Sequence, residues 1–355
     1  MDRLTIREAL AADHTALERL FSETSMPGAI RIGSDRTPDF FAASHVQATE
    51  PCLWGAFTPD GKAVGAFSAG RRMVWLGGEQ VPMRYLSDLR IHPGWRNGTL
   101  LARGFRNLRE NVFSQGEWAQ TLVLEGNAPA LEILRSGRMG LPQYHPAGRY
   151  VNWWLPQQVI SRFAFPVRTA CTADLPAMQG LLDDSSSRRS FSTAVDLGKL
   201  GGAFLNGLAI GDFLVAEDAG EICGMMAIWD QGRFQRLRVD GYSPAMAVAR
   251  PIWNLAARIR GGLTLPDPGI AIPIRKASML ACADDDPSIL KSIFSAALFS
   301  GNGGLLSVGL SEKDPLTAAL SGLKGKVFRG RHFLVGWEGK PPEWREPFGF
   351  DPGRI

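Results

Sequence analysis

The alternation of apolar and polar positions predicts strands and helices in mixed order through the first half of the chain. A short strand is expected at residues 4–8, followed by a helix for which Asp13 is the expected N-cap. The turn Pro59-Asp60-Gly61 predicts a hairpin between residues 51–57 and 62–75. The same patterns predict later strands at 81–91, 118–124 and 150–155, and helices at 100–113 and 127–136.

The order of predicted elements that starts at residue 4 is repeated from residue 165. The strand-then-helix stretch 165–182 parallels the opening of the chain, and a second hairpin parallels the first. Its strands are expected at 213–217 and 222–229, followed by strands at 278–282, 305–309 and 327–337 and helices at 287–299 and 315–320. We expect residues 183–189 to be a polar, mobile segment and residues 261–269 a loop, either of which could cover a cleft.

Length and composition agree with two domains in a mixed α/β protein. The 355 residues suffice for two domains of roughly 150 residues each, expected at 1–157 and 163–340, with a C-terminal tail at 341–355. The net charge of +4 comes from scattered basic residues and so does not indicate nucleic-acid binding. Four well-separated cysteines indicate neither a zinc site nor a disulfide framework. With no signal-peptide core and no membrane-length apolar run, we expect a cytoplasmic protein without a membrane partner.

Residues 85–102, with the sequence YLSDLRIHPGWRNGTLLA, combine an apolar strand, a Pro/Gly turn and a helix start. The beginning of a helix presents unpaired N–H groups and a partial positive charge, to which Arg96 adds a cation. The small-residue turn Asn97-Gly98-Thr99 would let a pyrophosphate approach the backbone. This arrangement predicts a binding site for a phosphate-bearing ligand. The same strand, turn and helix also occur in α/β proteins without any ligand-binding role.

This stretch resembles the coenzyme A-binding motif of the GNAT acyltransferases, in which strand four ends in an apolar-x-apolar-His-Pro phrase followed by Arg-x-x-Gly-x-Gly/Ala. Residues 89–93 (LRIHP) and 96–101 (RNGTLL) match this frame. Thr99 and Leu101 stand where the family usually has small residues, and Gly98 comes one position early. The resemblance covers residues 3–155 well and 165–337 weakly, and it implies two tandem GNAT-like domains, the second degenerate.

The resemblance implies that acyl-CoA lies where strands four and five splay apart. Backbone groups of Leu89 and Ile91 would pair with the pantetheine, and a backbone donor near Ile91 would polarise the acyl carbonyl. Asn127, at the head of a predicted helix, resembles a later family motif and could equally be a simple N-cap. The implied cofactor contacts are Leu89, Arg90, Ile91, Arg96, Asn97, Gly98, Thr99, Leu100, Leu101, Ala102 and Asn127.

Amine attack on a thioester needs a base for the amine proton and an acid for the leaving thiolate. Many family members use a glutamate on strand four and a later tyrosine; here Tyr85 or Ser87 fills the first place, depending on the subfamily compared, and Leu134 the second. Asp88, the nearest carboxylate, could relay a proton through water.

Each candidate catalytic residue could instead have a purely structural role. Asp88 could instead be paired with Arg90 or Arg84 on a face of the sheet, while Tyr144 and His145 could supply an acid or lie on a surface loop. The candidate catalytic residues are therefore Asp88, Ser87, Tyr85 and Tyr144.

In the second half, Asp284, Asp285 and Asp286 replace the pyrophosphate turn, and three carboxylates would repel a pyrophosphate. They indicate an N-cap cluster or, alternatively, a metal site, and we expect no metal. The function implied is N-acyl transfer, of an acetyl or related group, from acyl-CoA to an unidentified amine of a small molecule or peptide, catalysed by the N-terminal domain. The alternative is a non-catalytic acyl-CoA-binding or sensing protein that retains the fold, which the missing glutamate and tyrosine favour.

Overall fold

The computed structural model of the chain describes residues 4–26, 28–96, 99–135, 137, 140–160, 164–260, 264–299 and 304–355. Within these residues the strands are β1 Thr5–Glu8, β2 Ile30–Asp35, β3 Leu53–Phe57, β4 Ala63–Leu76, β5 Glu79–Ile91, β6 Ala119–Leu124, β7 Gln143–Leu155, β8 Val167–Thr169, β9 Phe213–Asp218, β10 Glu221–Trp229, β11 Arg236–Tyr242, β12 Ile274–Cys282, β13 Leu305–Ser311 and β14 Lys326–Gly336. The α-helices are α1 His14–Glu23, α2 Ala42–Gln47, α3 Leu100–Asn111, α4 Ala128–Arg135, α5 Leu175–Ser187, α6 Pro244–Arg260 and α7 Pro287–Phe299.

Twelve of these strands form one continuous mixed sheet, in the order β1-β3-β4-β5-β6-β14-β7-β13-β12-β10-β9-β8. Helices α1, α2 and α5 cover one face of the sheet, and α3, α4 and α7 cover the other. In the described part of the chain, no helix is both long enough and apolar enough to cross a membrane.

The two halves of the chain exchange their last strands. β14 inserts between β6 and β7 and runs antiparallel to both, while β7 pairs with β13 of the second half. Gly330 makes this approach possible, because a Cβ at that position would lie 2.2 Å from the Tyr150 ring. The strand order is therefore symmetric about the β14-β7 pair.

The internal repeat predicted from the sequence is present in three dimensions. β5 carries a bulge with Asp88 at a φ of 58°, and β12 carries a bulge at the same place with Met279 at a φ of 48°. Each half also begins with the same ion pair between a strand arginine and the aspartate that closes the following turn. These pairs are Arg7 with Asp13 at 2.7 Å and Arg168 with Asp174 at 2.6 Å.

The prediction of a polar, mobile segment at residues 183–189 is wrong. Most of it belongs to α5, in which Leu182 and Ser185 are buried. Arg189, only 6% exposed, donates hydrogen bonds to Asp314 at 2.7 Å and Asp285 at 2.8 Å. Ion pairs with the buried Asp314 and the partly buried Asp285 hold Arg189 against the core, which the polar composition of the segment did not indicate.

The carboxylates at the start of α7 are engaged with protein groups. Asp286 accepts hydrogen bonds from the N–H and hydroxyl of Ser288 at 2.7 and 2.8 Å and so caps α7. Asp285 faces Arg188 and Arg189, which lowers the pKa of its carboxyl group although burial opposes this effect. Among the described residues, no group of three or more metal-ligating side chains is found.

Two strands and two α-helices were not predicted, namely β2, β11, α2 and α6. β2 and β11 pair antiparallel in a separate two-stranded sheet that connects the halves a second time, and α6 follows β11. Of the predicted loop 261–269, residues 264–267 are irregular and 268–269 form a turn, and residues 261–263 lie outside the described residues.

Candidate functional site

The strands β5 and β6 diverge in the middle of the first half. They pair in parallel only from Arg84 to Leu86, opposite Ala119 to Thr121, and then separate. A cavity of about 290 Å³ occupies the gap. It is lined mainly by apolar side chains of β4, β5, β6 and α3, among them Phe67, Leu86, Leu100, Phe105 and Val123. We call this space the cleft.

Six of the predicted cofactor contacts line the cleft, namely Leu89, Arg90, Ile91, Leu100, Leu101 and Asn127. Arg96 is exposed beyond its rim and donates a hydrogen bond from Nε to the Ile91 carbonyl at 3.1 Å. Thr99 and Ala102 belong to the start of α3 but are not among the lining residues. Asn97 and Gly98 lie outside the described residues.

Helix α3 begins beside the cleft. Thr99 is its N-cap residue and its carbonyl accepts from the Arg103 N–H at 2.9 Å, so the helical bonds start there. The N–H groups of the first helical turn have no partner within the helix, and the helix dipole places partial positive charge at this end. One turn further, Gly104 lines the cleft, and a Cβ there would lie 3.8 Å from Phe67.

Asp88 lines the cleft and pairs with Arg36 rather than with Arg90 or Arg84. Its Oδ1 accepts from Arg36 Nη2 at 2.7 Å, and the Arg36 guanidinium, only 3% exposed, lies over the ring of Phe21 at 4.9 Å. The other oxygen, Oδ2, has no hydrogen-bond partner among the described residues. One carboxylate oxygen is therefore held in an ion pair, and the other is buried next to the cleft without a hydrogen-bond partner among the described residues.

The two arginines considered as partners of Asp88 bind elsewhere. Arg90 donates to the Thr24 carbonyl at 2.9 Å, and Arg84 donates to the carbonyls of Ala69 and Val112. Burial lowers the pKa of Arg90 from its usual value.

Ser87 and Tyr85 lie on the neighbouring part of β5 but in different surroundings. Ser87 lines the cleft, and its hydroxyl donates to Gln47 Oε1 at 2.9 Å. Tyr85 is not among the residues that line the cleft; it is buried against the Arg72 guanidinium, 4.3 Å from its ring centre. Burial raises the pKa of the Tyr85 phenol well above its usual range, so the group stays protonated.

Tyr144 lines the cleft from β7, and its ring lies edge-on to Phe333 of the exchanged strand β14. Burial raises the pKa of its phenol well above the usual range. Its neighbour His145 contacts Gln143 and the Trp118 ring and is not among the lining residues. Leu134 also lines the cleft, so an apolar side chain lies where the resemblance to GNAT acyltransferases implies a tyrosine.

The corresponding region of the second half is filled by core side chains. Leu290, Ile293 and Phe294 of α7 are fully buried there. Gly224 on β10 lies so close to α7 that a Cβ would come 2.3 Å from Ile289. The two halves thus share the same order of strands in the sheet, but core side chains in the second half fill the region that corresponds to the cleft of the first half.

Sequence reasoning missed Arg36, Gln47 and Arg72. Arg36 lies 52 positions before Asp88, at the end of a strand that was not predicted. Gln47 lies on the short helix α2, which was also not predicted, and accepts from Arg72 Nη1 through its carbonyl at 3.1 Å. An arginine within an otherwise apolar strand, such as Arg72 on β4, is a sequence signal that could have directed attention to this region.

The fold resembles those of solved acyltransferases. Saccharomyces cerevisiae N-myristoyltransferase with bound myristoyl-CoA matches with a TM-score of 0.60 and 12% identity, over 96% of this chain and 80% of that chain. A GCN5-related N-acetyltransferase from Sphaerobacter thermophilus matches with a TM-score of 0.53 and 12% identity, over 94% and 96%. A GCN5-related N-acetyltransferase from Anabaena variabilis ATCC 29413 matches with a TM-score of 0.50 and 12% identity, over 94% and 72%.

These likenesses confirm the predicted fold, a mixed α/β structure of two GNAT-like units. No protein-family model matches the chain, and no curated protein matches it by sequence.

Proposed function

We propose that this chain is an N-acyltransferase that moves an acyl group from acyl-CoA to a primary amine, with the cleft of the first half as the acyl-CoA site. The observation that carries the proposal is the apolar cavity of about 290 Å³ at the divergence of β5 and β6, whose counterpart in the second half is filled. Solved proteins of this fold include an N-myristoyltransferase with bound myristoyl-CoA, which supports an acyl-CoA co-substrate.

In this proposal the pantetheine lies along residues 89–91 of β5, and the pyrophosphate lies at the start of α3. The first-turn N–H groups of α3 would bind its oxygens, with Arg96 contributing a positive charge nearby. The bulge at Asp88 interrupts the pairing of β5 with β4, and a backbone N–H left unpaired there would bind the acyl oxygen.

The amine nitrogen would attack the acyl carbon, so that a C–N bond forms and the C–S bond breaks. Asp88 is the proposed acceptor of the amine proton, through its unpartnered Oδ2 or an intervening water. Tyr144 is the proposed donor to the departing thiolate, because its buried phenol stays protonated at neutral pH. Ser87, bonded to Gln47, would position water or the amine beside them.

The second candidate function is acyl-CoA binding without transfer. Two observations favour it: Asp88 Oδ1 is held in an ion pair with Arg36, and Leu134 occupies the place of the family tyrosine. Such a protein would bind acyl-CoA and release no thiol.

The decisive experiment is calorimetric titration of acetyl-CoA and longer acyl-CoAs into wild type, Gly104→Trp and Gly180→Trp. An indole at position 104 would fill the cleft, whereas Gly180 on α5 is exposed with open space around it and so provides the matched control. We expect binding by wild type and Gly180→Trp, and at least tenfold weaker binding by Gly104→Trp. Equal binding by all three proteins would place the cofactor elsewhere and refute the site.

Thiol release with a panel of amines then separates the two functions. Release that depends on both acyl-CoA and an amine supports the transferase. Binding with no release across the panel supports the non-catalytic function.

A further inference from the structure

A buried cluster of charged side chains lies next to the cleft, where the two halves meet. It consists of Arg36, Arg72, Lys276 and Arg354, with the carboxylates Asp88 and Asp351; we call these six residues the basic cluster. Arg36 contacts Asp88 at 2.7 Å and Arg354 contacts Asp351 at 3.7 Å. Lys276 lies within electrostatic range of Arg36 and Asp351, and Arg72 within range of Asp351.

The basic cluster contains more positive than negative charge. Four cations face two carboxylates, and Arg36, Arg72 and Arg354 are only 3%, 6% and 1% exposed. No carboxylate of the described residues lies within 4.0 Å of the Arg72 guanidinium. Burial lowers the pKa of Lys276 to about 8 and that of Arg354 to about 10, so both groups still carry charge at neutral pH. Excess buried charge is costly unless a counter-ion balances it.

A cavity of about 60 Å³ adjoins the cluster and is lined by Arg72, Gln120, Asp351 and Arg354. Among its described lining atoms, those that are buried and make no hydrogen bond are Arg72 Nε, Gln120 Nε2, and Nε and Nη2 of Arg354. Every one of them is a donor. Water would both donate and accept, whereas an anion only accepts, so an excess of donors with excess positive charge favours an anion.

A chain of hydrogen bonds through Gln47 links the cavity to the cleft. Arg72 Nη1 donates to the Gln47 carbonyl at 3.1 Å, and the side chain of the same Gln47 accepts from Ser87, which lines the cleft. Asp88, the proposed proton acceptor, is itself a member of the basic cluster. A group bound at the cluster would therefore lie near the reacting end of the cleft.

We propose that the basic cluster binds an oxyanion of the carboxylate or phosphate type, either as a free ion or as the acidic group of the amine acceptor. Binding of a free ion does not depend on any catalytic activity. Binding of the acidic group of an amine acceptor rests on the proposed function. In that case the acceptor is an amine that also carries an acidic group. Arg72 and Arg354 would bind the acidic group, and the amine would face Asp88.

The site itself is tested without activity, by thermal unfolding in rising inorganic phosphate or acetate at ionic strength held constant with chloride. The proteins are wild type, Arg72→Met, Gln120→Leu and, as a matched control, Arg19→Met at a position where the arginine is exposed on α1. We expect a saturable rise of Tm in wild type and Arg19→Met, a weaker one in Gln120→Leu, and none in Arg72→Met. Equilibrium dialysis of labelled phosphate against wild type should give one ion per chain, which keeps the test valid if Arg72→Met does not fold.

The source of the oxyanion is tested by thiol release with pairs of amines that differ only in a carboxylate. We expect at least tenfold higher kcat/KM for the carboxylate-bearing amine in wild type, and loss of that preference in Gln120→Leu or Arg72→Met. Saturable binding without this preference would identify a free ion and reject the acceptor source. Anion binding with no transfer to any amine would leave the site intact and count against the proposed function. Wild type that binds neither phosphate nor acetate would overturn the site.

Discussion

Replacing His332 with leucine should remove much of the acid sensitivity of the fold. His332 lies on the exchanged strand β14, is 1% exposed, and is flanked by the rings of Phe191 and Phe348 at 5.2 and 4.5 Å. Neither ring nitrogen has a hydrogen-bond partner among the described residues. Burial lowers the pKa of this imidazole to about 3, so the folded protein keeps it neutral through mildly acidic pH.

The size of the effect follows from the difference between the folded and unfolded chains. In the unfolded chain the imidazole titrates near its ordinary pKa of about 6.5. Because the folded pKa is lowered, the contribution is fully present above pH 6.5 and is lost progressively as the pH falls towards 3. Each pH unit in that window costs about 1.4 kcal/mol of unfolding free energy, so His332 alone should cost about 2 kcal/mol between pH 7 and pH 5.

Urea unfolding at pH 7 and pH 5 measures this quantity directly. Wild type should lose about 2 kcal/mol more than His332→Leu on acidification, while His145→Gln, at a histidine with partial solvent contact, should behave as wild type. Leucine has a similar volume and no polar atoms, so the variant should fold at pH 7 without a large penalty. Equal losses in wild type and His332→Leu would refute the burial of a neutral imidazole at this position.

Three further outcomes test other parts of the structure. Asp88→Asn should lower kcat by about a hundredfold or more with the acyl-CoA Kd unchanged, because asparagine tolerates the φ of 58° but cannot take a proton; a change below twofold in thiol release would contradict its proposed role. Arg189→Met should reduce the unfolding free energy in urea by about 3 kcal/mol, because it leaves Asp314, 2% exposed, without its ion-pair partner; an unchanged urea midpoint would contradict this. Gly349→Ala should cost about 1–3 kcal/mol in the same assay, because its Cβ would lie 2.3 Å from Ser192 Cα, and Gly211→Ala, with open space around it, is the control.

The sequence by itself determined many of the local elements, including the start of α3. Helix α7 runs from Pro287 to Phe299 as predicted, and the strand, turn and helix of residues 85–102 fall at β5 and α3. The repeat was also readable, because both halves begin with the same strand and turn. Periodicity and turn residues report on contacts between near neighbours along the chain, and these features depend on such contacts alone.

The tertiary structure alone decided how the halves join and which side chains meet. The exchange of β7 and β14, and the pairing of β2 with β11, depend on contacts between strands far apart in sequence, which local patterns do not encode. The ion-pair partner of Asp88 is Arg36, which is also distant in sequence, and the residues of the basic cluster come from both halves of the chain. A buried charge is stable only where distant residues solvate it, so the sequence around such a residue does not show whether it is buried or which residues surround it.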